Sequence, residues 1–211
     1  MPPKPARYIL FDCIVPIVHA KIFLSYRIEG SLMEIPFLLA EAIFTFFWLA
    51  VRLAVCIRKK GIDWKREAAL LLMYINLAVI LRFTFFPMLR VNGRVQPLVF
   101  DAASAIPFQI NWIPFVNLFD YDSNAALLLN VIGNIAMFLP SGIILPFLYK
   151  QLNSLGKVFL AGAGLSLCIE LLQLPFAMRT SDIDDLILNT LGVIIGYGIY
   201  LTAQKRKTAK A

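Results

Sequence analysis

Long apolar stretches constrain this chain more than any other feature of its sequence. Four of them are long enough to cross about 30 Å of hydrocarbon as α-helices, which takes roughly 20 residues at about 1.5 Å each. A fifth is nearly as apolar, because the two Asp residues near its beginning can lie at the end of the helix, outside the hydrocarbon. The five stretches are Ile35 to Ile57, Ala68 to Leu89, Ala125 to Tyr149, Lys157 to Leu174 and Ile183 to Ala203.

The composition agrees with a chain that spans a membrane. Hydrophobic residues make up 60% of the sequence and charged residues only 16%, whereas about a quarter of a soluble domain is charged. The sequence therefore predicts an all-α fold, a polytopic transmembrane helix bundle of five or six spans. The sixth is the N-terminal run Tyr8 to Leu24, which Asp12, Pro16, His19 and Lys21 interrupt. This run is either a span or a helix that lies in the membrane interface.

Basic residues predict the orientation of the bundle. Lys and Arg cluster in three places, between the first two stretches, between the third and fourth, and in the C-terminal tail 204–211, and all three can be cytoplasmic at once. The connections Arg90 to Asn124 and Pro175 to Asp182 then lie outside. Five spans would put a basic N-terminus outside, so the charges slightly favour six. Because topology accounts for the net charge of +7, nucleic acid is not an expected partner.

The outer connection containing AIPFQINWIPFVNLFDYD is not an ordinary hydrophilic loop, because aromatic and apolar residues dominate it. Trp112, Phe115, Phe119 and Tyr121 suit the headgroup boundary, where an aromatic ring can be half wet. We expect this segment to lie on the bilayer. The alternative is a mobile loop.

Three of the apolar stretches each carry one stripe of polar and small residues at helical spacing. Such stripes face protein rather than lipid, because a lipid-exposed amide or carboxylate would lack a partner. Asp184 lies off the stripe of the last helix, where it is expected only to begin the helix. The stripes are Asn130, Gly133, Asn134 and Met137; then Gly162, Ser166, Glu170 and Gln173; then Asp182, Asp185, Asn189, Gly192 and Gly196.

The depth of these residues places a polar cluster in the outer half of the bilayer. Asn130 and the glycines, including the GVIIG motif, are expected to pair helices. Glu170, Asp182, Asp185 and Arg179 are instead candidates for a functional site, because ionisable groups at membrane depth are costly. Asn134, Gln173 and Asn189 complete the predicted polar cluster, and Asn111, Pro114 and Phe115 are its candidate residues in the outer connection. No metal or cofactor is expected. The cysteines have no CxxC spacing and the single histidine is remote from the stripes.

Taken in order, these motifs resemble one family of bacterial membrane proteins, the VanZ-like family. The resemblance rests on NVIGNIAMFLPSGIILP followed by IELLQLPFAMRTSDIDDLILNTLGVIIGY, with INWIPF ahead of them, from about Asn111 to Tyr200. Ser141 departs from the family's pattern, a difference expected to matter little, and Arg179 stands where members vary. The residues that carry over are Asn111, Pro114, Phe115, Asn134, Pro140, Gly142, Glu170, Gln173, Asp182, Asp185, Asn189 and Gly192.

The resemblance implies a multi-pass protein of the bacterial cell membrane with a role in the cell envelope. The family's namesake confers low-level resistance to the glycopeptide teicoplanin by an undefined mechanism. On this basis residues 101–203 form the VanZ-like domain, and residues 1–100 form an N-terminal transmembrane region without a clear family signal. The expected partners are membrane lipids and a lipid-linked cell-wall precursor or a lipoglycopeptide. The resemblance supplies no reaction and does not make this chain a resistance determinant.

Two classes of function remain open. In the first, an outward-opening polar cluster binds the polar headgroup of a lipid-linked or lipopeptide ligand and contributes to antibiotic or envelope-stress tolerance. In the second, a membrane-embedded enzyme acts on a lipid-linked precursor, with Glu170 and Asp185 as acid and base or as joint ligands of a divalent cation. The sequence favours binding over catalysis, because it offers neither a Ser-x-x-Lys nor an HExxH arrangement.

Overall fold

The structure is a computed structural model that describes residues 33–58, 63–86, 90–91, 93–101, 110–116, 123–177 and 179–209. The candidate sixth span, Tyr8 to Leu24, lies outside the described residues, as do Phe119 and Tyr121 of the aromatic connection. Apart from Met33, the described chain belongs to one compact unit, Glu34–Ala211.

Five long helices form most of the described chain. Each is long and apolar enough to cross a membrane, so the predicted all-α bundle is confirmed. The last helix ends only at Thr208, so Lys205, Arg206 and Lys207 of the predicted tail lie in its last turn. The helices are α1 (Phe37–Arg58), α2 (Trp64–Phe85), α3 (Asn124–Leu148), α4 (Leu155–Gln173) and α5 (Ile183–Thr208).

Short strands lie before α1 and in the connections between the helices. β2 and β3 form an antiparallel pair, and β5 and β6 pair in parallel, with Ile110 opposite Ser181 and Asn111 opposite Asp182. The parallel pair brings the INWIPF segment against the beginning of α5. The strands in the described residues are β1 (Met33–Ile35), β2 (Arg90–Val91), β3 (Arg94–Val95), β4 (Leu98–Phe100), β5 (Ile110–Asn111) and β6 (Ser181–Asp182).

Glycines allow α3 and α5 to run side by side in parallel. A Cβ added at Gly192 would overlap the backbone oxygen of Ile135, and one added at Gly196 would overlap that of Leu139. Only a residue without a side chain permits this approach, which is the packing that the small-xxx-small spacing of GVIIG predicts. Gly133 of the α3 stripe faces open space instead.

Buried polar side chains join α2 to α3. Asn76 donates a 2.7 Å hydrogen bond from Nδ2 to the backbone oxygen of Met137, and Ser141 donates a 2.6 Å bond from Oγ to Oδ1 of Asn76. Ser141 is fully buried. The Ser141 hydroxyl satisfies the amide oxygen of a neighbouring helix, a contact that the expectation of little effect from this departure did not include.

The ends of the helices give the bundle two chemically different ends. Near the basic connections, Arg52 of α1 pairs with Glu67 of α2, and Arg66 donates a 3.0 Å bond to the backbone oxygen of Leu148 at the end of α3. At the opposite end lie the beginnings of α3 and α5 and the last turns of α2 and α4. We call it the acidic end, because Glu170, Asp182, Asp184 and Asp185 lie there.

Candidate functional site

Three of the four acidic residues lie at the beginning of α5. Asp182 is its N-cap and accepts a 2.9 Å hydrogen bond from the backbone N–H of Asp184. Asp184 and Asp185 follow in the first turn. A helix N-terminus has unpaired N–H groups and the positive end of the helix dipole, so carboxylates are favoured there.

The fourth acidic residue, Glu170, comes from the last turn of α4 and is almost completely buried. Its Oε2 accepts a 2.9 Å hydrogen bond from the backbone N–H of Asp182, and the side chain of Ser181 bonds to it as well. Glu170 also lies close enough to Asp182 and Asp185 to interact with both electrostatically. One α4 side chain therefore organises the connection that leads into α5.

Asp185 connects the acidic residues to α3. Its Oδ1 accepts a 2.7 Å hydrogen bond from Nδ2 of Asn134, and its side chain is only partly buried. The neighbouring charges of Asp182 and Asp184 repel it, while that of Arg179 attracts it. Asn134, Glu170, Asp182 and Asp185 thus meet in one cluster, as their stripes predict.

The INWIPF segment covers this cluster. Asn111 donates a 3.1 Å bond from Nδ2 to Oδ1 of Asp182, and the backbone N–H of Phe115 donates a 2.8 Å bond to Oδ1 of Asp184. Phe115 has a φ of 67°, a left-handed conformation that a bulky residue adopts at a cost. Asp184 lies in the first turn of α5, as predicted, but its buried carboxylate also holds the covering segment, a contact that the stripe did not predict.

The outer face of the same segment is apolar and exposed. Trp112 is 71% exposed, Ile113 63% and Phe115 50%, and Pro114 between them is exposed too. Backbone and amide groups of the segment bond inward to carboxylates, and its side chains point away from them. Placement of this face on the bilayer surface stays a prediction.

Gln173 and Arg179, two further predicted site residues, bind the end of α2. Gln173 donates a 2.6 Å bond from Nε2 to the backbone oxygen of Thr84, and Arg179 donates a 3.0 Å bond from Nε to that of Phe85. The last carbonyls of a helix lack intrahelical partners, so both side chains cap α2. Burial lowers the pKa of the Arg179 guanidinium, and the charge of Asp185 opposes that shift.

Asn189, the last predicted site residue, lies one helical turn deeper than Asp185. It is 1% exposed, and its Nδ2 donates a 3.0 Å bond to Oγ of Ser166, which lies one turn deeper than Glu170 on α4. Its Oδ1 is buried and has no hydrogen-bond partner among the described residues.

The structure thus brings together most of the predicted residues and adds three that the sequence analysis missed. Asp184 and Ser181 are neighbours of predicted residues in the sequence, and their position at the beginning of a helix could have identified them as part of the site. Ser166 was placed on a stripe but not in the site. The predicted residues that bond within or onto the cluster are Asn111, Phe115, Asn134, Glu170, Asp182 and Asp185, while Gln173, Arg179 and Asn189 border it.

Comparisons with known proteins extend the motif resemblance. A family model described as VanZ/LLP1 matches residues 70–204, which includes most of α2 as well as the motifs that begin at Asn111. Protein VanZ of Enterococcus faecium is 35% identical over 80 residues, which cover 38% of this chain and 49% of that protein. The match therefore spans about half of that relative. No solved structure matches this chain.

Proposed function

The chain belongs to the VanZ/LLP1 family, and from that premise we propose that it binds the polar headgroup of a lipid-linked or lipopeptide ligand at the acidic end of its bundle. Such binding would contribute to tolerance of wall-directed antibiotics or envelope stress in a bacterial cell membrane. The relative from Enterococcus faecium is named Protein VanZ. The proposed role in the envelope is an analogy with this family.

One observation carries the proposal. Asp182 and Asp184 hold the INWIPF segment over the acidic cluster through Asn111 and the backbone of Phe115. A molecule that has both a polar headgroup and an apolar tail fits this arrangement, because carboxylates lie on one side of the segment and exposed apolar side chains on the other. The headgroup would contact the cluster, and the tail would lie along Trp112 and Ile113.

A deletion strain complemented with variants tests the proposal. We expect Asp185→Asn to lower survival under a teicoplanin or lipopeptide challenge, because it removes charge from the cluster while the amide still accepts the bond from Asn134. Glu34→Gln is the matched control, since it removes an exposed carboxylate that precedes α1 at the same end of the bundle. Survival is compared at equal amounts of folded membrane protein. Equal survival of Asp185→Asn and Glu34→Gln would contradict the proposal.

An enzyme acting on a lipid-linked precursor is the second candidate function. The observation that favours it is the electrostatic interaction between Glu170 and Asp185, since paired carboxylates can act as acid and base. Incubation of purified protein with a lipid-linked wall precursor, followed by mass analysis of the lipid, distinguishes the candidates. Loss of precursor with wild-type protein and not with Glu170→Gln would favour catalysis over binding.

A further inference from the structure

We propose that an anionic phospholipid binds at the end of the bundle opposite the acidic end, through a basic cluster formed by Arg66, Lys150 and Lys207. We call this end the basic end. The phosphate of the lipid would lie among the three side chains, and an acyl chain would lie against the exposed rings beside them. Because the site is at the other end of the helices from the acidic residues, the inference goes beyond the proposed function and does not depend on it.

Arg66 is fixed at the place where the beginning of α2 meets the end of α3. Its Nη1 donates a 3.0 Å hydrogen bond to the backbone oxygen of Leu148, and its guanidinium carbon lies 5.9 Å from the centre of the Tyr149 ring. Exposed Lys150 follows Tyr149 directly. The guanidinium has five N–H donors, of which the described contacts use one, so donors remain for a phosphate oxygen.

Part of the Arg66 charge is withdrawn from water. Its Nε is buried and has no hydrogen-bond partner among the described residues. An anion interacts more strongly with a partly desolvated charge than with a fully solvated one, because water screens the second more effectively. The fixed position and partial burial of Arg66 distinguish this cluster from basic residues that only set the orientation of a membrane protein.

The parallel packing of α3 and α5 determines which α5 residues lie beside the end of α3. Gly192 of α5 packs on the backbone of Ile135, and Gly196 packs on that of Leu139. In both contacts the residue numbers differ by 57. Residues of α5 are therefore level with α3 residues 57 positions earlier in the chain.

The same offset makes Lys207, in the last turn of α5, level with Lys150. Lys207 comes eleven residues after Gly196, which is about three helical turns, so it lies on the face of α5 that packs on α3. Lys205 comes nine residues after Gly196, about two and a half turns, and lies on the opposite face. Lys207 thus belongs to the basic cluster, and Lys205 does not.

Carboxylates in the described part of the chain do not pair with the basic cluster. The acidic residues that the structure describes at this end are Asp63 and Glu67. Asp63 accepts bonds from the backbone N–H groups of Lys65 and Arg66, and Glu67 forms an ion pair with Arg52. Like charges at this end repel one another, and a bound phosphodiester would reduce that repulsion.

Exposed rings at the end of α3 favour a lipid over a soluble anion. Phe147 is 53% exposed and Tyr149 is 43% exposed, and both lie within three residues of Lys150. Tyrosine suits the headgroup boundary, and an exposed phenylalanine of a spanning helix contacts acyl chains. Inorganic phosphate would satisfy the charge but not this apolar surface. A phospholipid with a net negative charge satisfies both.

Native mass spectrometry of the detergent-solubilised full chain tests the inference. The protein is mixed with equimolar phosphatidylglycerol, phosphatidylethanolamine and phosphatidylcholine, and the retained lipids are counted. All three have a phosphate, but only the first has a net negative charge. We expect phosphatidylglycerol to be retained about tenfold over each of the others. A large excess of inorganic phosphate should not displace it, and displacement would overturn the assignment to a lipid.

Variants assign the preference to the basic cluster. Lys150→Gln and Lys207→Gln should each lower the preference for phosphatidylglycerol about fivefold, the effect of one basic residue beside an anionic headgroup. The double variant should abolish it. Both side chains are exposed, so the substitutions should leave the fold intact. All variants are compared as monodisperse fractions from size-exclusion chromatography, so that misfolded protein is not scored.

Lys205→Gln is the matched control, because it removes the same charge from the same helical turn on the opposite face. It should leave the preference unchanged. Equal losses for Lys205→Gln and Lys207→Gln would show that the lipid responds to the overall charge of this end, and would overturn the proposed site. Equal retention of the three lipids by the wild-type protein would overturn it as well.

Discussion

The backbone N–H of Asp182 donates a 2.9 Å hydrogen bond to Oε2 of Glu170. This bond joins the last turn of α4 to the N-cap residue of α5, and Asp182 in turn accepts a bond from Asn111 of the covering segment. A single buried carboxylate therefore has a structural role in the connection between two helices and an electrostatic role in the cluster. Substitutions that remove the charge but keep the acceptor separate these two roles.

Glu170→Gln should abolish envelope protection without loss of the folded protein, because a side-chain amide oxygen still accepts the bond from Asp182. Glu170→Ala leaves that N–H unsatisfied and should destabilise the protein by about 1–3 kcal/mol as well. Survival of the complemented strain and thermal unfolding of the purified variants measure the two effects. Protection by Glu170→Gln at the wild-type level would show that the charge is dispensable.

Asp184→Ala should loosen the covering segment around Phe115, because it removes the acceptor for the backbone N–H of Phe115 and with it the bond that holds this left-handed residue in place. Asp184→Asn keeps an acceptor oxygen and is the matched control. A cysteine placed at exposed Ile113, in a background without the native cysteines, reports the change. We expect Asp184→Ala to raise the rate of limited proteolysis beside this position and to change the rate of maleimide labelling. Unchanged rates of proteolysis and labelling in both variants would contradict the role assigned to Asp184.

Gly196→Ala should destabilise the bundle, because a Cβ there overlaps the backbone oxygen of Leu139 on α3. Overpacking of this kind costs about 1–3 kcal/mol. Gly198→Ala on the same helix meets nothing within 4 Å and should be neutral or stabilising, since alanine is the better helix former. Thermal unfolding in detergent measures both variants. Equal melting temperatures for the two would show that the α3 and α5 backbones are not held in contact.

The acidic end should face the outside of the cell and the basic end the cytoplasm. Cysteines introduced at Thr180 and Ala209, both exposed, lie at opposite ends of α5. An impermeant maleimide should label Thr180→Cys in intact cells and Ala209→Cys only after the membrane is permeabilised. The reverse pattern would overturn the orientation predicted from the basic clusters.

Hydrophobicity and spacing in the sequence determined much of this protein. The apolar stretches predicted five helices, because only a helix satisfies every backbone polar group within a membrane. The stripes predicted that Asn134, Glu170 and Asp185 face protein, since helical periodicity places residues four apart on one face. The order of the motifs identified the family, and the family match confirmed it.

Only the tertiary structure decided the partner of each polar group. Helical spacing reports which face a residue occupies, but it does not report which helix or connection lies opposite. The α5 stripe is divided between two neighbours, since Gly192 packs on α3 while Asn189 bonds to α4. Asp184 lies off that stripe and is nevertheless buried, because a segment about 70 residues earlier in the chain folds over it. Contacts between residues so distant in sequence depend on the packing of the whole chain, and no local pattern encodes them.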